Sequence, residues 1–137
     1  MESTVPCIAV AVPRERLAAV WPAAAPLVAR ALARSGEMTL DELARALVEG
    51  RFLLWLAWDG TLAAAAVTEI AETIAGRVCC IVACGGGNRA RWLALRAELE
   101  RHARRHGCVR MRIYGRRGWQ RILPDYRATR IILEKDL

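Results

Sequence analysis

Residues 82–99 read VACGGGNRARWLALRAEL. An apolar run ends in three consecutive glycines, and these open directly into an arginine-rich pattern of helical period. Glycines let a backbone turn sharply or approach a ligand closely. The first N–H groups of a helix have no internal partner, and the helix dipole adds about half a positive charge at that end. A glycine run placed there predicts either a tight strand-to-helix turn or an anion site. Asn88 is suited to cap the helix, and Arg89 and Arg91 are placed to reach a phosphate.

Working outward, residues 77–84 (RVCCIVAC) are apolar on both faces, which predicts a central strand covered on both sides. Upstream lies a hairpin pattern. Two apolar runs flank Asp59-Gly60, and a further turn is expected at Ala75-Gly76. Downstream, Trp92, Leu95, Leu99 and Ala103 form the buried stripe of a helix over 88–106, closed by Gly107. The strand CVRMRIY follows, then a short helix in RRGWQRIL before Pro124, then a final strand in ATRIILEKDL, residues 128–137.

The amino-terminal part opens with a strand at 7–12, stopped by Pro13. A helical pattern runs from Arg14 to Gly36, within which Pro22 fits the first position of a new helix. Thr39 and Glu42 form a capping box for a second helix that Gly50 ends. The order is β-α-α-β-β-β-α-β-α-β, a mixed α/β domain over 1–137 with helices on both faces of one sheet. The strand–helix–strand unit at 77–114 is expected to be a parallel crossover.

Composition narrows the function classes. No apolar run reaches the 18–20 or so residues of a membrane helix. The amino terminus lacks the basic and long apolar regions of a secretory signal, so a cytoplasmic or virion-associated location is expected, with no membrane partner. Five cysteines without a CxxC pair read as buried thiols. His102 and His106 are spaced i,i+4 with no third ligand near, so no metal is expected. The net charge of +7 is uneven: residues 1–88 net −2, whereas residues 89–130 carry 13 arginines and three acids. That segment suits a phosphate-bearing ligand, an acidic protein surface or nucleic acid. With 20 arginines and one lysine, part of the pattern is codon bias.

The element order, with the glycine run between the fourth strand and the third main helix, resembles the GNAT superfamily of acyl-CoA-dependent N-acetyltransferases. In that family the turn is written Gln/Arg-x-x-Gly-x-Gly/Ala and holds the pyrophosphate of coenzyme A. The matching positions are Val82, Ala83, Cys84, Gly85, Gly86 and Gly87, with Asn88, Arg89 and Arg91 beyond them. Both glycine positions fit, and Val82 departs from Gln or Arg. The resemblance implies acetyl-CoA as cofactor and an amine as acceptor. It also implies a general acid, often a tyrosine on the helix after the fifth strand, and a carboxylate or water as base. RRGWQRIL contains no tyrosine, which leaves Tyr114 as the candidate acid; Glu69 and Glu72 are the candidate bases. Cys84 at a helix start is a further nucleophile to consider. The carboxy-terminal stretch 115–137, with Trp21 and the alanine-rich hairpin, also resembles small GNAT-like proteins of tailed phages and prophages. That implies an alternative role as a virion or assembly component partnered by phage structural proteins. A basic nucleic-acid-binding module is the third reading, although no recognised motif accompanies the charge.

Overall fold

The computed structural model describes residues 7–86, 89–115 and 119–137, with the backbone only for 89–91. Five strands form one sheet in sequence order: β1 (Ile8–Ala11), β2 (Leu53–Trp58), β3 (Leu62–Thr73), β4 (Gly76–Gly86) and β5 (Cys108–Ile113). Every neighbouring pair is antiparallel except β4–β5, which is parallel. Helices α1 (Leu17–Ser35) and α2 (Leu40–Glu49) cover one face, and α3 (Arg89–Arg105) covers the other, with the single turn α4 (Trp119–Ile122) beside it.

Local chemistry fixes most boundaries. The Thr39 hydroxyl accepts from the Glu42 N–H at 3.1 Å and donates to the Glu42 carboxylate at 3.2 Å, closing the expected capping box at the start of α2. Gly36 and Gly50 end α1 and α2 with left-handed backbones, which glycine enters without a Cβ penalty. The β2–β3 turn passes through Asp59-Gly60, and the β3–β4 turn through Ala75-Gly76, as the sequence predicts. The central strand β4 is buried over Val78–Ile81 between both helical layers.

Two expectations are corrected. Pro22 does not begin a helix: α1 runs unbroken for 19 residues with Pro22 and Pro26 inside it. Each proline removes one helical hydrogen bond, to the carbonyls of Ala18 and Pro22. The stripe Ala24, Val28 and Leu32, each 5% exposed or less, packs on the sheet across Pro26, and the part-buried Leu17, Val20 and Trp21 continue it before Pro22. Burial outweighs the two missing bonds, so packing overrides local propensity. The final strand expected at 128–137 is also absent. These residues pair with no strand and are exposed throughout, because the chain leaves the body after Tyr126 and meets no sheet edge.

Two features of β4 shape everything downstream. Val67 pairs with Ala83 and Thr68 with Ile81, so Val82 is an extra residue, a β-bulge that bends the strand. Val82 and Ala83 both pack toward the α1–α2 layer. Pairing between β4 and β5 stops at Ile81–Ile113, just before the bulge. Second, α1 crosses directly over the end of β4. A Cβ placed on Gly85 would stand 2.3 Å from the Leu27 backbone oxygen, and one on Gly86 would stand 2.8 Å from the Ala63 oxygen. Gly86 also has φ +80. The substitution Gly85→Ala therefore forces α1 off the sheet. We expect a loss of about 1–3 kcal/mol and a Tm several degrees lower. Thermal unfolding followed by circular dichroism checks this, and an unchanged Tm would show that α1 is not clamped there.

Candidate functional site

Beyond the bulge, Ala83–Gly86 pairs with β3 only, and past the end of β5 its other edge is open. The backbone groups on that edge have no strand partner among the described residues. Helix α3 begins three residues past the end of β4, so its amino end, with its unpaired N–H groups, follows closely on this segment. Gly87 and Asn88 lie outside the described residues, as do the side chains of Arg89 and Arg91. The glycines differ from the sequence reading in one respect: Gly85 and Gly86 belong to β4, opposite Ala65 and Ala64, rather than to a free loop. Packing against Leu27 and Ala63 is sufficient reason for both.

Two arginines that sequence reasoning did not single out join this end of the sheet. Arg30 and Arg34 of α1 line a pocket of ≈ 320 Å³ together with Ala31, Cys84, Gly85 and Gly86. Their i,i+4 spacing puts both on one helix face, and the crossing of α1 over Gly85 carries that face to the glycine segment. The spacing was available in the sequence, but the crossing was not.

Two tryptophans meet near the amino end of α3. Trp92, in the first turns of α3, lies 5.0 Å from Trp119 of α4, centroid to centroid. Trp119 in turn packs so tightly on Gly115 that a Cβ there would stand 2.3 Å from its ring. The amino end of α3 is thereby tied to the end of β5. The Trp92 indole N–H is buried and has no hydrogen-bond partner among the described residues. A buried unpaired donor is costly, and its pairing by a bound group would recover that cost.

The other candidates fall at separate places. Tyr114 is the first residue past β5, exposed at the mouth where the strands part. Glu69 is half-buried opposite Cys80, which is itself opposite Arg112, so the three form a row across β3, β4 and β5. Glu69 also lines a larger pocket of ≈ 580 Å³, with Arg14, Arg51, Thr68 and His102 among its walls. Burial beside Trp55, then the nearby His106 and Arg105 charges, hold the His102 pKa below its ordinary value and favour the neutral ring. Glu72 is different. It pairs with Arg77 at 2.6 Å at the far end of β4, about 27 Å from Gly85 by strand rise. Tyr126 donates to Glu100 at 2.8 Å, and burial together with that carboxylate pushes its pKa up. It is thereby committed to α3.

No family model matches the chain, and no curated protein matches it in sequence. Solved structures match it in fold. A probable acetyltransferase superposes with a TM-score of 0.70 at 17% identity, covering 94% of this chain and 96% of that one. A predicted acetyltransferase from Clostridium acetobutylicum, solved with acetyl-CoA, gives 0.68 at 14%, covering 96% of each chain. A GCN5-related N-acetyltransferase from Ralstonia eutropha gives 0.67 at 12%, covering 96% of this chain and 99% of that one. The fold is the GNAT fold, and at these identities the likeness is one of fold.

Cys84 sits beside the glycines, where a helix start would favour a thiolate. Burial instead pushes its pKa up to about 12, against the smaller opposing pull of Arg34. We expect Cys84 to resist iodoacetamide in the native protein at pH 8 and to label on denaturation, as read by peptide mass spectrometry. Rapid native labelling would contradict the buried-thiol assignment.

Proposed function

We propose that the chain is an acyl-CoA-dependent N-acyltransferase that takes acetyl-CoA into the opening between β4 and β5. The observation that carries this reading is the end of β4–β5 pairing at Ile81, which leaves the last residues of β4 with an unpaired edge shortly before the start of α3. The donor set suits the ligand. Backbone N–H groups past the bulge suit the amide-bearing arm, while the α3 amino end, through Gly87, Asn88, Arg89 and Arg91, suits the pyrophosphate. Arg30 and Arg34 add positive charge next to the glycine segment, in keeping with a phosphate-rich ligand. Acetyl-CoA, when bound, supplies an activated acyl thioester.

In this reading the chain works mainly by placement. The β4 edge positions the acyl carbonyl and offers it backbone donors, and such preorganised donors are a large part of acyl-transfer catalysis. Glu69 is the proposed base for the incoming amine, since it lies one strand from the end of β4–β5 pairing and lines the larger pocket. Tyr114 is the proposed acid for the departing thiol, from its place at the mouth of the opening. Glu72, held by Arg77 at the other end of the strand, has no part in this scheme. The pocket walls give the acceptor both an acid and cations to meet, which suits an amine that also bears a negative group.

Calorimetry with acetyl-CoA tests the proposal directly. We expect one site per chain, and affinity about tenfold or more weaker in the double variant Arg30→Gln/Arg34→Gln, since charge-assisted contacts to phosphate are each worth about 1.5–3 kcal/mol. With an amine acceptor, Glu69→Gln and Tyr114→Phe should lower kcat by about 10²-fold or more each while leaving acetyl-CoA affinity unchanged. Absence of binding at millimolar acetyl-CoA would overturn the proposal and favour a fold retained for assembly, as in the phage-like reading.

A further inference from the structure

One rung before β4 and β5 stop pairing, three side chains lie in register across three strands. Glu69 of β3 stands opposite Cys80 of β4, and Cys80 stands opposite Arg112 of β5. Their neighbours set the face they occupy. Ile81 and Ile113, next along β4 and β5, pack with the α3-side core. Thr68, next to Glu69, accepts from the indole N–H of Trp55, which belongs to that same core. Strand alternation therefore turns Glu69, Cys80 and Arg112 toward the α1–α2 face.

The row holds opposite charges apart. The Arg112 guanidinium is within hydrogen-bond reach of the Cys80 sulfur, and the Glu69 carboxylate is close enough to act on the same thiol. Burial pushes the Cys80 pKa up, so the residue between the two charges stays neutral. Adjacent strands lie about 4.8 Å apart, which sets acid and base roughly 10 Å from each other across the sheet. Both are half-buried, and among the described residues neither has an ion-pair partner, whereas Glu72 and Arg77 close on each other at the far end of the same strands. A ligand that carries both signs would satisfy the two half-buried charges together.

The other cations in reach are engaged or displaced. Arg14 gives two donors to the Val48 carbonyl, and Arg51 holds Glu49 at 3.0 Å. Arg110 shares the face of Arg112, but it is exposed and lies two residues farther from the end of pairing.

We propose that the acceptor is a small amino acid whose amine meets Glu69 and whose carboxylate is bound by Arg112, with Cys80 as the neutral floor between them. This deepens the acyl-transfer reading and rests on it for the fate of the amine. The span accommodates two charge-assisted hydrogen bonds of about 2.8 Å each with a short carbon chain between them. A guanidinium fork matches a planar carboxylate, which makes Arg112 the residue that separates amino acids from plain amines.

Glycine, β-alanine and γ-aminobutyrate are compared with their own carboxamides, as acceptors by thiol release from acetyl-CoA and as ligands of the protein alone by saturation-transfer NMR. At least one acid should bind at millimolar concentration and exceed its amide by about tenfold or more in kcat/KM. Arg112→Gln should bring that acid-to-amide ratio near one, Arg112→Lys should keep part of it, and Arg110→Gln should keep it whole. Arg112→Glu should reverse it, so that ethylenediamine outruns β-alanine, a gain that misfolding does not produce. Equal use of acids and amides overturns the proposal, as does a preference lost in Arg110→Gln but kept in Arg112→Gln. So does stronger use of phosphoethanolamine than of every acid. If none of the three acids binds, the proposal falls whether or not acetyl-CoA binds. A protein that binds the acids through Arg112 but takes no acetyl-CoA keeps this site and overturns only the acyl-transfer reading.

Discussion

The structure depends on where β4 stops pairing with β5. One inserted residue, Val82, lets β3 follow β4 to its end while β5 is left behind at Ile113. The bulge also resets the alternation of the strand. Ile81 packs toward α3, but Val82 and Ala83 both pack toward α1 and α2. A strand that runs on past the end of its edge neighbour exposes a row of backbone groups at some cost. Nearby, the Trp92–Trp119 pair packs the start of α3 against α4.

The second constraint is the seating of α1. Leu27 presents its carbonyl directly above Gly85, so helix and strand approach as closely as two backbones can. That contact explains why a helix carrying two prolines stays whole, since its buried stripe is held against the sheet along its length. It also explains how Arg30 and Arg34 come to stand beside the glycines. A buried bond from the Trp55 indole N–H to the Thr68 hydroxyl at 3.0 Å ties β2 to β3 on the opposite face, and His102 of α3 packs edge-on against the same ring.

Much of this was legible in the chain itself, and the reason is distance along the sequence. The capping box at Thr39 and Glu42, the turns at Gly60 and Gly76 and the closing glycines 36, 50 and 107 are decided by residues a few positions apart. Their chemistry is complete within the local pattern. Pro22 was misread because its cost is local and its compensation lies on the sheet. The bulge at Val82 left no mark, since an extra residue in an apolar run looks like any other. The site divides in the same way. The glycines and the start of α3 could be read, whereas Arg30 and Arg34 needed the crossing of α1. Glu69 and Glu72 looked equivalent in TEIAE until their strand positions placed one in a pocket and the other in an ion pair at the far end. The tail resembled a strand by its alternation, but a strand needs a neighbour, and residues 128–137 pair with none.

The contact between Gly85 and the Leu27 carbonyl bears on how related chains should be interpreted. A side chain is barred at that position by the body of the protein, whatever binds outside it. A related chain would keep Gly85 and Gly86 for as long as it kept α1 on the sheet. The glycine run therefore records ancestry of architecture, and its persistence in a lineage is no measure of retained catalysis. Arg30, Arg34 and Glu69 meet no such backbone constraint, so they can vary while the fold is kept.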